Sequence, residues 1–255
     1  MRELTIDRRS LFGFRKRRKV MIPESYSELS PAQFVAVVAA SLGWINDIQL
    51  ITRYFDLSEK DTLSLDPWQA YTLRETMEFL KKTQPLFAFI IPQLQAKVDG
   101  RELWLEPPGP KLAGMTLQQF MSVDTFCAWY LYSEKREYLY NFIVSLYTDP
   151  EIEFGKLETE KYKAAILAHQ DNTEEIFQAI LVNWILIKRW LSDAYPKLFP
   201  HSAPEGKKKT RPSSWLPVFD ALVDEDLTRV ESYQRLNAID VIRIINRKIE
   251  NRKKK

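Results

Sequence analysis

The sequence predicts a mainly α-helical chain, a multi-helix bundle-like array with one short β-hairpin. Three observations carry that reading. Helix-start signals recur, with Ser30-Pro31-Ala32-Gln33, Asp66-Pro67-Trp68-Gln69 and Thr116-Leu117-Gln118-Gln119 each offering a capping residue and a Gln three positions on. Glycine is scarce, 7 in 255 residues, which leaves few tight turns for a strand-rich fold or a dinucleotide-binding loop. Asp99-Gly100, between Leu94–Val98 and Arg101–Leu105, is the strongest hairpin signal in the chain. Hydrophobic residues make up 45%, enough to build a core and to argue against a disordered chain.

Residues 1–29 read as a basic, irregular N-terminal arm with a short extended piece at most. A first helix starts after Ser30, with Pro31 suited to its first position and Gly43 to its end. Phe34, Val35, Val37, Val38 and Leu42 form its apolar face. A short helix is expected over 47–54. Another is expected from Asp66 to about Lys82, with Leu73, Met77 and Leu80 inward and Pro85 blocking continuation. The hairpin near 94–105 completes an N-terminal lobe over 30–106. Pro107-Pro108-Gly109-Pro110 is a stiff loop, and a joint between lobes is placed near 107–114.

The central lobe is expected over 115–200. Its helices run from Thr116 to about Tyr132, over 134–147, over 158–169, and from Asn172 to about Ala194. In the last of these Ile176, Ile180, Leu181, Trp184, Ile185, Ile187 and Leu191 nearly encircle the axis, which marks it as central. Residues 201–212 read as a basic, Pro-containing linker. Residues 213–255 read as a C-terminal helical pair, over 214–223 and 238–252, with a basic tail. Ile239, Ile242, Ile245 and Ile249 form the stripe of the last helix.

The net charge of +3 hides an asymmetry. Residues 1–25 contribute +5, residues 201–214 +3 and residues 242–255 +6, so the remaining body is net −11. Basic ends on an acidic body suit nucleic acid or an acidic protein surface, and they equally suit solvated tails. The candidate binding residues are Arg15, Lys16, Arg17, Arg18 and Lys19, then Lys207, Lys208, Lys209 and Arg211, with Lys253–Lys255 behind them. Phe12 and Phe14 precede the first cluster and could stack on bases or anchor the arm.

Catalysis finds little support. His169, His201 and Cys127 fit no zinc spacing, and no His-Glu-x-x-His occurs. A Cys127–His169 pair is conceivable, but Cys127 falls on an apolar helix face beside Phe126 and Trp129, where a thiol behaves as a small hydrophobe. Asp224-Glu225-Asp226, Glu151 with Glu153, and Glu174-Glu175 are adjacent acids that do not converge on a metal by themselves. The expectation is no enzyme, no cofactor and no metal. A single cysteine fits a reducing compartment. No apolar run reaches the roughly 18 residues of a membrane span. No hydrophobic stretch follows Arg8-Arg9, so no signal peptide and a cytoplasmic location are expected.

One resemblance can be named. Asp193-Ala-Tyr-Pro-Lys-Leu-Phe199, Ser214-Trp215-Leu-Pro-Val-Phe-Asp-Ala-Leu-Val223, Asp226-Leu227, Tyr233 and Val241-Ile-Arg-Ile-Ile-Asn-Arg-Lys-Ile249 carry it. Thr116-Leu-Gln-Gln-Phe120 and Leu146-Tyr147 add to it. The pattern resembles helical proteins encoded in bacterial prophage tail gene clusters, near the tail assembly chaperones. The resemblance implies a non-enzymatic protein-binding assembly or scaffold role, with tape-measure or tail-tube components among the partners. The alternative is a nucleic-acid-binding protein working through its basic segments.

Overall fold

A computed structural model describes residues 2–9, 15–82, 84–156, 158–200, 212, 214–223 and 227–252, with residues 6–9 and 15–18 given by their backbone. The chain is mainly α-helical, with two small antiparallel two-stranded sheets among the described residues, and it forms two units, Met1–Leu86 and Phe87–Lys255.

The N-terminal unit begins with a correction. The expected irregular arm is a β-hairpin, with β1 (Arg2–Arg9) paired to β2 (Arg15–Ile22) in a continuous register from Arg2↔Ile22 to Arg9↔Arg15. Alternation in β1 is limited to Leu4 and Ile6, and β2 opens on five successive cations, so the pairing left little mark on the hydropathy pattern. The β2 end is rooted by Ile22, which is buried, and by Tyr26 beyond it, whose hydroxyl donates to the Leu80 carbonyl at 2.9 Å.

Helix α1 (Pro31–Ser41) starts as expected. Ser30 and Gln33 form the full reciprocal box. It stops in a Schellman arrangement: Gly43 N–H donates to Ala40 and Trp44 N–H to Ala39, with Gly43 at φ +73°. Its buried face differs from the expected one. Ala36 and Ala39 are buried with Phe34 and Val38, whereas Leu42 is exposed. The small alanines let Ile45 and Leu50 approach closely, so helix packing chose size over hydrophobicity.

Helix α2 (Asp47–Tyr54) carries a capping box at Asn46 and Gln49 that the sequence analysis did not identify. A short α3 (Glu59–Leu63) follows, tied to α2 by a Thr52–Thr62 hydroxyl bond of 2.8 Å. Helix α4 (Pro67–Glu75) begins with its box at Asp66 and Gln69. It ends before the expected Lys82, passing through a turn into a 3₁₀ segment at Glu78–Lys81. Leu73 and Met77 point inward as expected.

The C-terminal unit contains the expected hairpin, β3 (Leu94–Val98) and β4 (Arg101–Leu105), turned by Asp99 and Gly100 at φ +51° and +79°. Both central residues of a type I′ turn need positive φ, which Gly adopts freely and Asp tolerates. The sequence pattern grouped this hairpin with the N-terminal lobe and put the joint at 107–114. The division instead falls after Leu86, because the hairpin is bound to elements C-terminal to it. Glu106 and Thr148 exchange backbone hydrogen bonds, Asn172 Nδ2 donates to the Gln95 carbonyl at 2.7 Å, and Lys161 pairs with Asp99.

Helix α5 (Leu117–Ser133) is capped by Thr116, but the expected reciprocal box is incomplete. Gln119 is buried and donates to the Ser145 carbonyl at 3.0 Å on α6 (Arg136–Leu146). A buried amide satisfies a buried carbonyl in preference to a cap that water can serve. After α7 (Thr159–Ala168), Thr173 caps α8 (Glu174–Ala194), and Glu174 and Glu175 occupy its first turn where the dipole favours them. Helix α8 is the expected central element: Ala179, Ile180, Trp184, Ile187 and Leu191 are fully buried. Trp184 sits among the rings of Phe89, Phe120 and Phe142. Its neighbour Asn183 accepts from Ile90 N–H at 2.7 Å and donates to the Ala88 carbonyl at 3.1 Å, clamping that extended segment to α8.

Helices α9 (Leu216–Val223), α10 (Val230–Gln234) and α11 (Ala238–Arg252) follow. They are integral to this unit rather than a separate pair. Phe219, Val223, Val241 and Ile245 form one cluster with Leu117 of α5. Leu117 N–H donates to the Leu236 carbonyl and Ala238 N–H to that of Met115, so backbone hydrogen bonds stitch α11 to the start of α5. Among the described residues, no helix is long and apolar enough to cross a membrane.

Candidate functional site

The expected basic segments divide in two. Arg15, Lys16, Arg17, Arg18 and Lys19 lie along β2, opposite Arg9, Arg8, Asp7, Ile6 and Thr5. Lys19 makes a 2.9 Å ion pair with Glu3, whose hydrogen bond and charge raise the lysine pKa. Lys207, Lys208, Lys209 and Arg211 lie outside the described residues, as do Lys253–Lys255, Phe12, Phe14, His201 and the Asp224–Asp226 cluster.

A further surface feature belongs to the N-terminal unit, at aromatics that the sequence pattern tied to no site. On α4, Trp68 and Tyr71 stack with ring centroids 5.9 Å apart and an interplanar angle of 27°. They are 73% and 53% exposed, side by side on one face as i, i+3 residues of a helix are. The sequence carried one usable signal. Leu73 and Met77 define the inward face, and Trp68 and Tyr71 fall off it. Beside the pair, an open groove of about 400 Å³ runs between α2 and α4, floored by Leu50, Ile51, Met77 and Leu80. Its rim is charged: Arg74 pairs with Asp47 at 2.6 Å and Lys81 with Glu78 at 2.5 Å. Trp44, Ile48 and Leu63 are exposed on the same unit.

The C-terminal unit holds a largely buried polar cluster. Asp124 on α5 accepts from the Trp215 indole N–H at 2.9 Å, and its other carboxylate oxygen lies 2.6 Å from Lys188 Nζ on α8. Burial disfavours the charge on Lys188, but the charge and hydrogen bond of Asp124 together with Cys127 outweigh that effect, and the pKa is raised. Asp124 falls between Phe120 and Cys127 on the apolar face of α5, and Lys188 between Trp184 and Leu191 on that of α8. Opposite charges on two apolar faces were the signal that these helices face each other.

Cys127 is the remaining chemical candidate. Burial pushes its thiol up to about 12, Asp124 adds to the rise, and Lys188 opposes it. No hydrogen bond joins it to His169, whose Nδ1 accepts from the Asp171 N–H in the turn after α7. A buried neutral thiol is a poor nucleophile. Native protein at pH 8 should therefore resist maleimide, while protein unfolded in guanidinium should take up one label per chain. The same shift carries a pH dependence. The unfolded thiol releases its proton near pH 9 and the folded one only near 12, so its contribution to stability is complete below pH 9 and is lost between those values.

Among the described residues, no group of three or more His, Cys, Asp or Glu side chains is placed to hold a metal ion. No protein-family model matches the chain, and no curated protein or solved structure matches it either.

Proposed function

We propose that this chain is a non-enzymatic, protein-binding assembly or scaffold protein that docks a partner on the α2–α4 face of its N-terminal unit. The observation that carries the reading is the exposed, stacked Trp68–Tyr71 pair beside an apolar groove. Exposed aromatics cost solubility unless a partner covers them, and Trp and Tyr supply much of the binding energy at protein interfaces. The charged rim of Asp47, Arg74, Glu78 and Lys81 matches the polar border such interfaces keep. The partner is a protein segment that offers an apolar anchor to the groove. The resemblance to proteins of prophage tail gene clusters supports a tape-measure or tail-tube component in that place.

The test is a pull-down between the purified chain and each separately purified product of its own gene cluster. One tail component should bind the unaltered chain, and the Trp68→Ala/Tyr71→Ala variant should lose that binding. The variant should keep its melting temperature within about 2 °C, because exposed side chains contribute little to folding. Equal capture by the variant, or capture of no product, would overturn the proposal.

A further inference from the structure

We infer that the β1–β2 ribbon is a binding arm for double-stranded DNA, entering the major groove with its cationic end. This activity is separate from docking at the α4 aromatic pair.

The register makes the argument. A linear reading finds Arg8-Arg9 and the Arg15–Lys19 run as two clusters. Antiparallel pairing sets them side by side, with Ile6↔Arg18, Asp7↔Arg17, Arg8↔Lys16 and Arg9↔Arg15. Six of these eight residues are Arg or Lys and one is acidic, a net of +5 on four cross-strand pairs. The other four pairs, Arg2↔Ile22 to Thr5↔Lys19, hold two cations and one acid, and Ile22 at that end is buried. The ribbon is therefore polarised, with an apolar root and a cationic end.

Like charges at directly opposed positions destabilise a strand pair. Arg8↔Lys16 and Arg9↔Arg15 are two such pairs in succession. A polyanion removes that repulsion, and the acidic remainder of the chain leaves this end as a concentrated attractor.

The shape selects the polyanion. The B-DNA major groove, about 12 Å wide, admits a two-stranded ribbon. The major groove of duplex RNA is too narrow for side chains to enter. Single strands are held largely by base stacking on aromatic side chains; the eight paired residues include none, Phe12 and Phe14 lie outside the described residues, and the single-strand competitor decides between the two. An anionic membrane would share the electrostatic attraction, and the vesicle competitor separates it from duplex DNA.

The experiment is fluorescence anisotropy of a labelled 20-base-pair DNA duplex with the full chain, from 50 to 200 mM salt. Duplex RNA, single-stranded DNA and phosphatidylserine vesicles serve as competitors. Neutralising about five phosphates predicts a slope of log K against log salt near −4.5. Arg8→Ala/Arg9→Ala and Arg15→Ala/Lys16→Ala should each flatten it by about 2, since the register makes the two strands equal contributors. Arg8→Lys/Arg9→Lys should keep the slope, which separates loss of charge from loss of the ribbon. Trp68→Ala/Tyr71→Ala should bind DNA unchanged. The inference is overturned if the duplex does not bind, or if vesicles, duplex RNA or single strands compete better than duplex DNA. It is also overturned if Arg8→Ala/Arg9→Ala leaves the slope intact while Arg15→Ala/Lys16→Ala reduces it.

Discussion

Trp184→Ala is expected to lower the stability of the C-terminal unit by about 4 kcal/mol, the range for truncating a large buried aromatic. Trp184 has no exposed surface and stands at the centre of the α8 face. Phe89 stacks on it at 6.4 Å, and Phe120 and Phe142 meet it at 5.9 and 6.4 Å. Truncation leaves three rings around a void that none can fill without leaving its own contacts. Trp184→Phe sharpens the test. The indole N–H is buried and finds no acceptor among the described residues, so it carries a desolvation penalty that phenylalanine removes. The phenylalanine variant should lose about 2 kcal/mol less than the alanine variant. Urea unfolding followed by far-ultraviolet circular dichroism checks both, and equal losses would mean the packing argument is wrong.

Asp124→Ala is expected to cost about 2–4 kcal/mol, somewhat below the figure for breaking a fully buried ion pair. The discount reflects Lys188, whose side chain is 34% exposed and can turn to water once its partner is gone. The indole N–H of the half-buried Trp215 loses its acceptor as well. Asp124→Asn keeps an acceptor for Trp215 while removing the charge that holds Lys188, so it should cost about half as much. The comparison separates the hydrogen bond to the α9 entrance from the α5–α8 ion pair. Guanidinium is unsuitable because it screens the pair; urea midpoints at low salt give the difference directly.

Elements governed by local chemistry are legible in the sequence. Ser30 with Gln33, and Asp66 with Gln69, act within four residues, and both boxes form as expected. Asp99-Gly100 fixes its own turn, and α8 announces its central place by being apolar on nearly all sides. Where a distant group competes, local reading fails. Gln119 leaves its cap for the Ser145 carbonyl. The helix from Pro67 stops at Glu75 rather than near Lys82. The β1–β2 ribbon escapes a hydropathy reading because its strands are written in arginine, and only pairing shows that they are strands.

The candidate surfaces divide along the same line. Composition identified Arg15–Lys19 as cationic, but the placement of Arg8 and Arg9 opposite them is a property of register. Trp68 and Tyr71 are visible in the sequence as aromatics off the Leu73–Met77 face, but the apolar groove beside them is a property of the packed unit. The sequence by itself determined the helical class, most helix starts, the second hairpin and the acidic body with basic ends. The tertiary structure alone decided the division after Leu86, the joining of α11 to α5 and the register that sets Arg8 and Arg9 against Lys16 and Arg15. Caps and turns are settled by energies exchanged within a few residues. Burial and pairing depend on surfaces that meet only after the chain has folded.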